Sequence, residues 1–113
     1  MNKGKIFHLV PTARWEKALI EGRYQPDSLK TEGFIHFSTW DQLFETAELY
    51  YKEEESLEVL FVIEKHVKQN LKWEKSRNEE EFPHLYGKFP FSAVETTRKM
   101  VRNAEGKFQI EEE

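Results

Sequence analysis

Two short stretches hold the residues of this chain best suited to chemistry. Glu32 to Ser38 reads EGFIHFS, and Phe82 to Gly87 reads FPHLYG. Each sets a histidine among apolar residues with a hydroxyl two positions on, Ser38 after His36 and Tyr86 after His84. In an extended chain residues two apart point to one side, so each pair would share a face. A histidine titrates at about pH 6.5, which suits it to giving or taking a proton in the cell. Glu74 and the run Glu79, Glu80, Glu81 supply carboxylates near the second stretch that could orient a histidine or stabilise positive charge on a sugar.

Each of these residues has a structural reading beside the chemical one. His36 on an apolar strand can be a hydrogen-bonded core or rim residue, and Ser38 can cap the helix that follows. Tyr86 can make one structural hydrogen bond at a packed corner, and the glutamates can form a solvated face. The remaining histidines are His8, in the opening apolar run, and His66, among Glu64, Lys65 and Lys68, where exposure is expected. No His-Glu-x-x-His pattern or second nearby histidine is present, which disfavours a metal site. Ser38 lacks a Gly-x-Ser-x-Gly elbow, and the scattered glycines form neither a Walker loop nor a dinucleotide fingerprint.

The elements that must position these groups follow from periodicity. Lys5 to Val10 predicts a strand with Ile6, His8 and Val10 on one face and Phe7 and Leu9 on the other. From Ala13, the spacing of Trp15, Ala18 and Leu19 predicts a helix that ends at Gly22. Residues 23–31 are rich in turn formers, with a helical turn or loop at Ser28 to Lys30. Gly33 to Phe37 predicts a strand, and Thr39-Trp40-Asp41-Gln42 has the form of a capping box opening an amphipathic helix through Tyr50 or Tyr51. That puts His36 just before a helix start, where an anion is favoured.

Leu57 to Ile63 lacks clean alternation and predicts a central strand covered on both faces. Leu71 to Glu74 alternates as a strand with Lys72 and Glu74 together, 76–81 is a loop, and FPHLYG is a constrained turn or short extended piece. Strands near Ala93 to Val101 and Lys107 to Ile110 pair around a turn at 103–106, and Glu111 to Glu113 form a frayed tail. Trp15, Trp40 and Trp73 fit core packing better than a stacking platform.

Composition bounds the function classes. At 113 residues the chain has room for one domain, spanning 1–113. It has no cysteine, which excludes a disulfide framework and a thiol nucleophile and fits a reducing cytoplasm. The net charge of −4 weighs against non-specific nucleic-acid binding, although Arg14, Lys17, Arg23 and Lys30 could frame a small anion. The short apolar run near the N-terminus is cut off by Pro11, which argues against a secretory signal, and no apolar stretch is long enough to span a bilayer. A soluble cytoplasmic α+β protein is expected, its small sheet mixed or antiparallel-rich, with short helices.

EGFIHFS and FPHLYG, with IFHL at the start, Trp15-x-x-Ala18, Gly22-x-Tyr24 and Ser28-Leu29, resemble domain of unknown function 952 (DUF952) over about Lys5 to Ile110. That resemblance implies a distant fold relationship to ADP-ribosyltransferases and RNA 2'-phosphotransferases, whose sheets hold NAD or an ADP-ribosylated intermediate in a cleft. On this basis the catalytic candidates are His36, His84 and Glu74, and the ligand-binding candidates are His8, Ser38 and Tyr86. His8 or His36 would hold a ribose hydroxyl, Tyr86 would lie against nicotinamide, and Glu74 would stabilise an oxocarbenium-like centre. NAD enters as a substrate. Three readings stand: ADP-ribosyl or related glycosyl transfer on an NAD-like or nucleotide-like substrate, a non-catalytic module binding a small anionic or nucleotide-like ligand, and histidines that are purely structural.

Overall fold

The computed structural model describes residues 3–112. The chain runs β1 (Lys5–Pro11), α1 (Thr12–Glu21), α2 (Asp27–Thr31), β2 (Ile35–His36), α3 (Trp40–Tyr50), β3 (Ser56–Ile63), β4 (Leu71–Lys75), β5 (Glu81–Leu85), β6 (Val94–Arg102) and β7 (Phe108–Ile110). Two antiparallel sheets form, one ordered β1-β3-β6-β7 and the other β2-β5-β4. The α+β class expected from the sequence is what the chain adopts.

β3 organises the larger sheet. On one face Leu57, Val59 and Phe61 pack with Phe7, Leu9, Met100 and the α3 residues Leu43 and Ala47. On the other, Leu60 and Val62 pack with Ile6, Val10, the α1 residues Trp15 and Ala18, and Ile35 and Leu85 of the smaller sheet. A strand covered on both sides needs apolar residues at successive positions, which is why its sequence does not alternate. The division of β1 into Ile6/Val10 and Phe7/Leu9 faces matches the same two cores.

Local chemistry fixes the helix ends. Gly22 takes the left-handed conformation at φ 74° and returns its N–H to the Ala18 carbonyl at 2.8 Å. Thr39 and Gln42 complete a reciprocal capping box at the start of α3, with Thr39 N–H donating to Gln42 Oε1 and Gln42 N–H to Thr39 Oγ1. The donors expected to favour an anion there are therefore partly engaged by the helix's own cap.

The structure departs from the sequence reading in several places. Of the two readings of FPHLYG, a constrained turn or a short extended piece, the extended one holds: its first four residues belong to β5, the middle strand of the smaller sheet. Pro83 is tolerated because a residue's N–H and C=O point to the same side of an antiparallel strand. The Pro83 carbonyl accepts from Phe37 N–H at 3.0 Å, so the missing donor also faces that side, beyond the two residues of β2, and costs the β4 pairing nothing. β2 is shorter than expected because Gly33 bends at φ 87° and Ser38 has already turned to pair with Phe7. Leu19 is exposed rather than packed, and Trp73 stands 38% exposed on the edge strand, its indole N–H donating to Glu64. Glu111 is tied to β6 by its N–H to the Lys99 carbonyl, not frayed, and Glu113 lies outside the described residues.

Leu60 is fully buried at the centre of this arrangement, whereas Ile20 is 87% exposed. Leu60→Ala should cost about 2–5 kcal/mol in urea unfolding, and Ile20→Ser should stay within about 0.5 kcal/mol of the parent. Equal effects from the two substitutions would contradict the core assignment.

Candidate functional site

The smaller sheet turns one face to the core and the other to a cleft. Ile35, Phe37 and Leu85 point into the core. Across the strands His36 sits opposite His84, His84 opposite Lys72, and Phe82 opposite Glu74. Directly paired residues share a face of the sheet, so the cleft face gathers both histidines, Glu74 and Phe82.

His84 is held by three neighbours on that face. Its ring stacks on Phe34 with centroids 4.2 Å apart, and the His36 ring meets it edge-on at 5.5 Å. Its Nδ1 lies 2.8 Å from Glu74 Oε1, and the Tyr86 hydroxyl donates to the same oxygen at 2.6 Å. Those two bonds, Tyr86 first and His84 second, hold the Glu74 carboxyl below its usual range, while the same carboxylate raises the Tyr86 hydroxyl. An ionised carboxylate can only accept, so the His84 hydrogen belongs on Nδ1. In the neutral ring Nε2 then keeps its lone pair. That atom is buried and has no hydrogen-bond partner among the described residues. An unpaired buried acceptor is costly, and in a cleft it marks a place for a ligand donor or a proton.

Arg77 supplies the cation opposite. Its Nε donates to Glu45 at 3.1 Å and an Nη to Thr46 at 3.0 Å, and its guanidinium lies 5.0 Å from the Phe82 ring centroid. The turn that carries it, Arg77–Glu79, has Asn78 at φ 58° and Glu79 at φ 60°. Two successive non-glycine residues in the left-handed region are uncommon, and here they follow a side chain that lines the cleft. The cleft has a volume of about 460 Å³ and is lined by His36, Ser38, Tyr51, Arg77, Phe82 and His84, among others. A second chamber of about 240 Å³ shares His36, Ser38 and Tyr51 with it and reaches His8 and Tyr24.

His8 is buried on the core side of β1, and both its ring nitrogens are engaged. Nδ1 donates to the His36 carbonyl at 2.7 Å, which leaves Nε2 to accept the Tyr24 hydroxyl proton, also at 2.7 Å. Burial lowers its pKa from 6.5 to about 4, so the ring is neutral near pH 7. Burial likewise raises the Tyr24 hydroxyl well above its ordinary value, keeping it a donor. The chain of hydrogen bonds from Tyr24 through His8 anchors the backbone of His36.

Of the residues singled out in the sequence, His36, His84, Glu74 and Tyr86 come together on one face, where His36 and His84 line the cleft while Glu74 and Tyr86 stand beside His84 outside its lining. Ser38 is buried in the wall shared by the two chambers. The His36 side chain is half exposed and pairs with Glu32 at 3.1 Å. The run Glu79 to Glu81 contributes no carboxylate to His84, and Glu80 lies 3.4 Å from Gln42 instead. The alternation of the first stretch places Phe34 on the face of His36, whereas Glu32, Tyr24 and Arg77 were given no part in the site. Arg77 carries no local signal, since its place depends on the β4–β5 turn. Among the described residues no group of three His, Asp or Glu side chains is placed to hold a metal.

Fold and site together define a small α+β protein with two antiparallel sheets and a histidine-lined cleft between the smaller sheet and α3. The chain belongs to the family described as protein of unknown function DUF952, whose sequence model matches residues 9–97. It is similar to the crystal structure of protein CC0527 from Caulobacter crescentus, with 32% identity, a TM-score of 0.83 and 93% of each chain covered. A crystal structure of a double mutant of that protein gives a TM-score of 0.82 at the same identity and coverage. Its solution NMR structure gives 0.80, covering 96% of this chain and 93% of that one. No curated protein matches the chain. None of the described helices is long and apolar enough to cross a membrane.

The buried His8 makes stability depend on pH. Between about pH 6.5 and about pH 4 the unfolded ring binds a proton that the folded ring refuses. Its contribution is therefore full above that window and lost as pH falls through it, on the order of 3 kcal/mol in all. Urea unfolding at stepped pH should show this decline, and His8→Asn should flatten it. An unchanged slope in the variant would place the titration elsewhere.

Proposed function

We propose that the cleft binds an anionic, nucleotide-like ligand against Arg77 and catalyses ADP-ribosyl or related glycosyl transfer from it. The observation that carries this reading is the His84 ring, with Nδ1 held by Glu74 and Nε2 buried without a partner. In this reading His84 Nε2 takes the proton of an acceptor hydroxyl or water. The acceptor oxygen bonds to the anomeric carbon, and the bond from that carbon to the nicotinamide-like leaving group breaks with its electron pair. Positive charge develops at the sugar during this step, and Glu74, with Oε2 uninvolved in the Tyr86 and His84 bonds, offsets it.

The other groups have supporting parts. Arg77 retains N–H groups beyond those bonded to Glu45 and Thr46, enough to meet a phosphate. His36 at the cleft mouth is the second acid or base, and Ser38 and Tyr86 contact the ligand. His8, with both nitrogens engaged, serves the site by holding the His36 carbonyl rather than by meeting a ribose hydroxyl. The distant ADP-ribosyltransferase relationship suggested by the sequence motifs agrees with this assignment. A binding-only reading is favoured by one observation: Nε2 can satisfy its lone pair by accepting a ligand N–H or O–H with no transfer at all.

Ligand-observed NMR with NAD, ADP-ribose and a nucleotide panel, followed by a nicotinamide-release assay, separates the two readings. Arg77→Ala should weaken binding by roughly tenfold or more, as expected for loss of charge-assisted hydrogen bonds. His84→Gln should leave binding within a few-fold of the parent and reduce release by about 10²–10⁴. Binding without release by the parent supports the module reading. No binding across the panel, by protein shown to be folded by circular dichroism, removes the nucleotide site.

A further inference from the structure

A second groove, distinct from the histidine cleft, lies between α1 and the segment at Lys88 to Phe91. Its volume is about 860 Å³, and Arg14, Lys17, Arg23 and Lys88 line it against a single acid, Glu21. That balance opposes the chain as a whole, whose acids outnumber its bases to give −4. Arg14 is committed to Asp27 and to the Gln25 carbonyl. Lys17, Arg23 and Lys88 have no ion pair among the described residues, whereas Lys5, Arg77, Lys99 and Arg102 each face a carboxylate. Three exposed, uncompensated cations converging on one concavity produce a local positive field in an otherwise acidic surface.

The groove's floor is apolar, and an exposed aliphatic side chain stands beside its charged rim. Ala13, Lys17 and Glu21 recur along the α1 face that lines it. At 100° per residue Ile20 falls within about 60° of Lys17 and beside Ala13, at the edge of that face. Ile20 is 87% exposed, the most exposed of the large hydrophobic residues among those described. The floor is formed by Tyr24 and Phe89, both buried and turned toward the core, where Tyr24 bonds His8. Those rings offer an apolar base but not the open faces on which nucleic-acid bases stack, and the third ring of the lining, half-buried Phe91, packs against Trp15 with centroids 5.5 Å apart. Cations plus an exposed aliphatic lip match the side chains of a polypeptide.

We infer that this groove docks an acidic, extended segment of a partner protein, its carboxylates meeting Lys17, Arg23 and Lys88 and an apolar side chain covering Ile20. The docking is independent of the histidine cleft and holds whether or not that cleft is catalytic.

The test is a titration of ¹⁵N-labelled protein at low salt with a short peptide of glutamates flanking one leucine, alongside a glutamine-for-glutamate version and a single-stranded oligonucleotide of equal charge. The acidic peptide should shift amides at 13–24, 88, 89 and 91 and leave those of Phe34, His84 and Tyr86 in place. Lys17→Glu combined with Arg23→Glu should weaken the peptide by at least about tenfold, and Ile20→Ser by about threefold or more. Both changes are at exposed positions, so the variants should fold. Absence of shifts, shifts insensitive to both variants, or oligonucleotide binding as tight as the peptide's would each overturn the inference.

Discussion

The structure depends on one backbone junction. Phe7 and Ser38 exchange hydrogen bonds of 2.9 and 2.8 Å, while the neighbouring Phe37 N–H reaches Pro83. Three consecutive residues of EGFIHFS thus hold the two sheets together: His36 pairs with β5, Phe37 reaches the same strand, and Ser38 pairs with β1. Backbone groups removed from water must find partners, and here the partners lie on two different sheets. The smaller sheet, whose outer face lines the cleft, is joined to the larger one at this point.

The buried polar groups around the junction are arranged in consistent directions. Tyr24 donates to His8 and His8 donates to the His36 carbonyl, so a neutral imidazole is satisfied at both nitrogens in a place where a charged one would be unfavourable. On the opposite face Glu74 accepts from both Tyr86 and His84, and satisfaction stops one atom short, at His84 Nε2. The contrast between the two histidines is informative. One is fully paired and holds the scaffold, and the other is paired on one side only, in the wall of a cleft that a pinned arginine also lines.

Much of this was legible because the signals were local. The two-residue period separates Phe34 and His36 from Ile35 and Phe37, the continuous apolar run of β3 announces burial on both faces, and Thr39 with Gln42 announces a helix start. What was illegible depended on tertiary pairing. Pro83 read as punctuation because the sequence does not say on which side of a strand its missing N–H falls. Arg77 reaches the cleft only through a turn at Asn78 and Glu79 that no glycine marks. Leu19 fitted the apolar stripe of α1 yet lies outside the contact, since α1 meets the sheet mainly through Trp15 and Ala18. Glu74 was legible as a carboxylate near the second stretch, and the family resemblance singled it out, but its distance from His84 follows from the β4–β5 register.

The central claim is that Glu74 fixes the His84 ring with its hydrogen on Nδ1 and a lone pair on Nε2. Long-range ¹H–¹⁵N correlation of the imidazole at mildly alkaline pH reads that arrangement directly, with no ligand present. A protonated Nδ1 and unprotonated Nε2, shifting toward a tautomer mixture in Glu74→Gln, is the result this account predicts. A ring protonated on Nε2 in the parent protein would contradict it, because the cleft would then present a hydrogen-bond donor where the account requires a base.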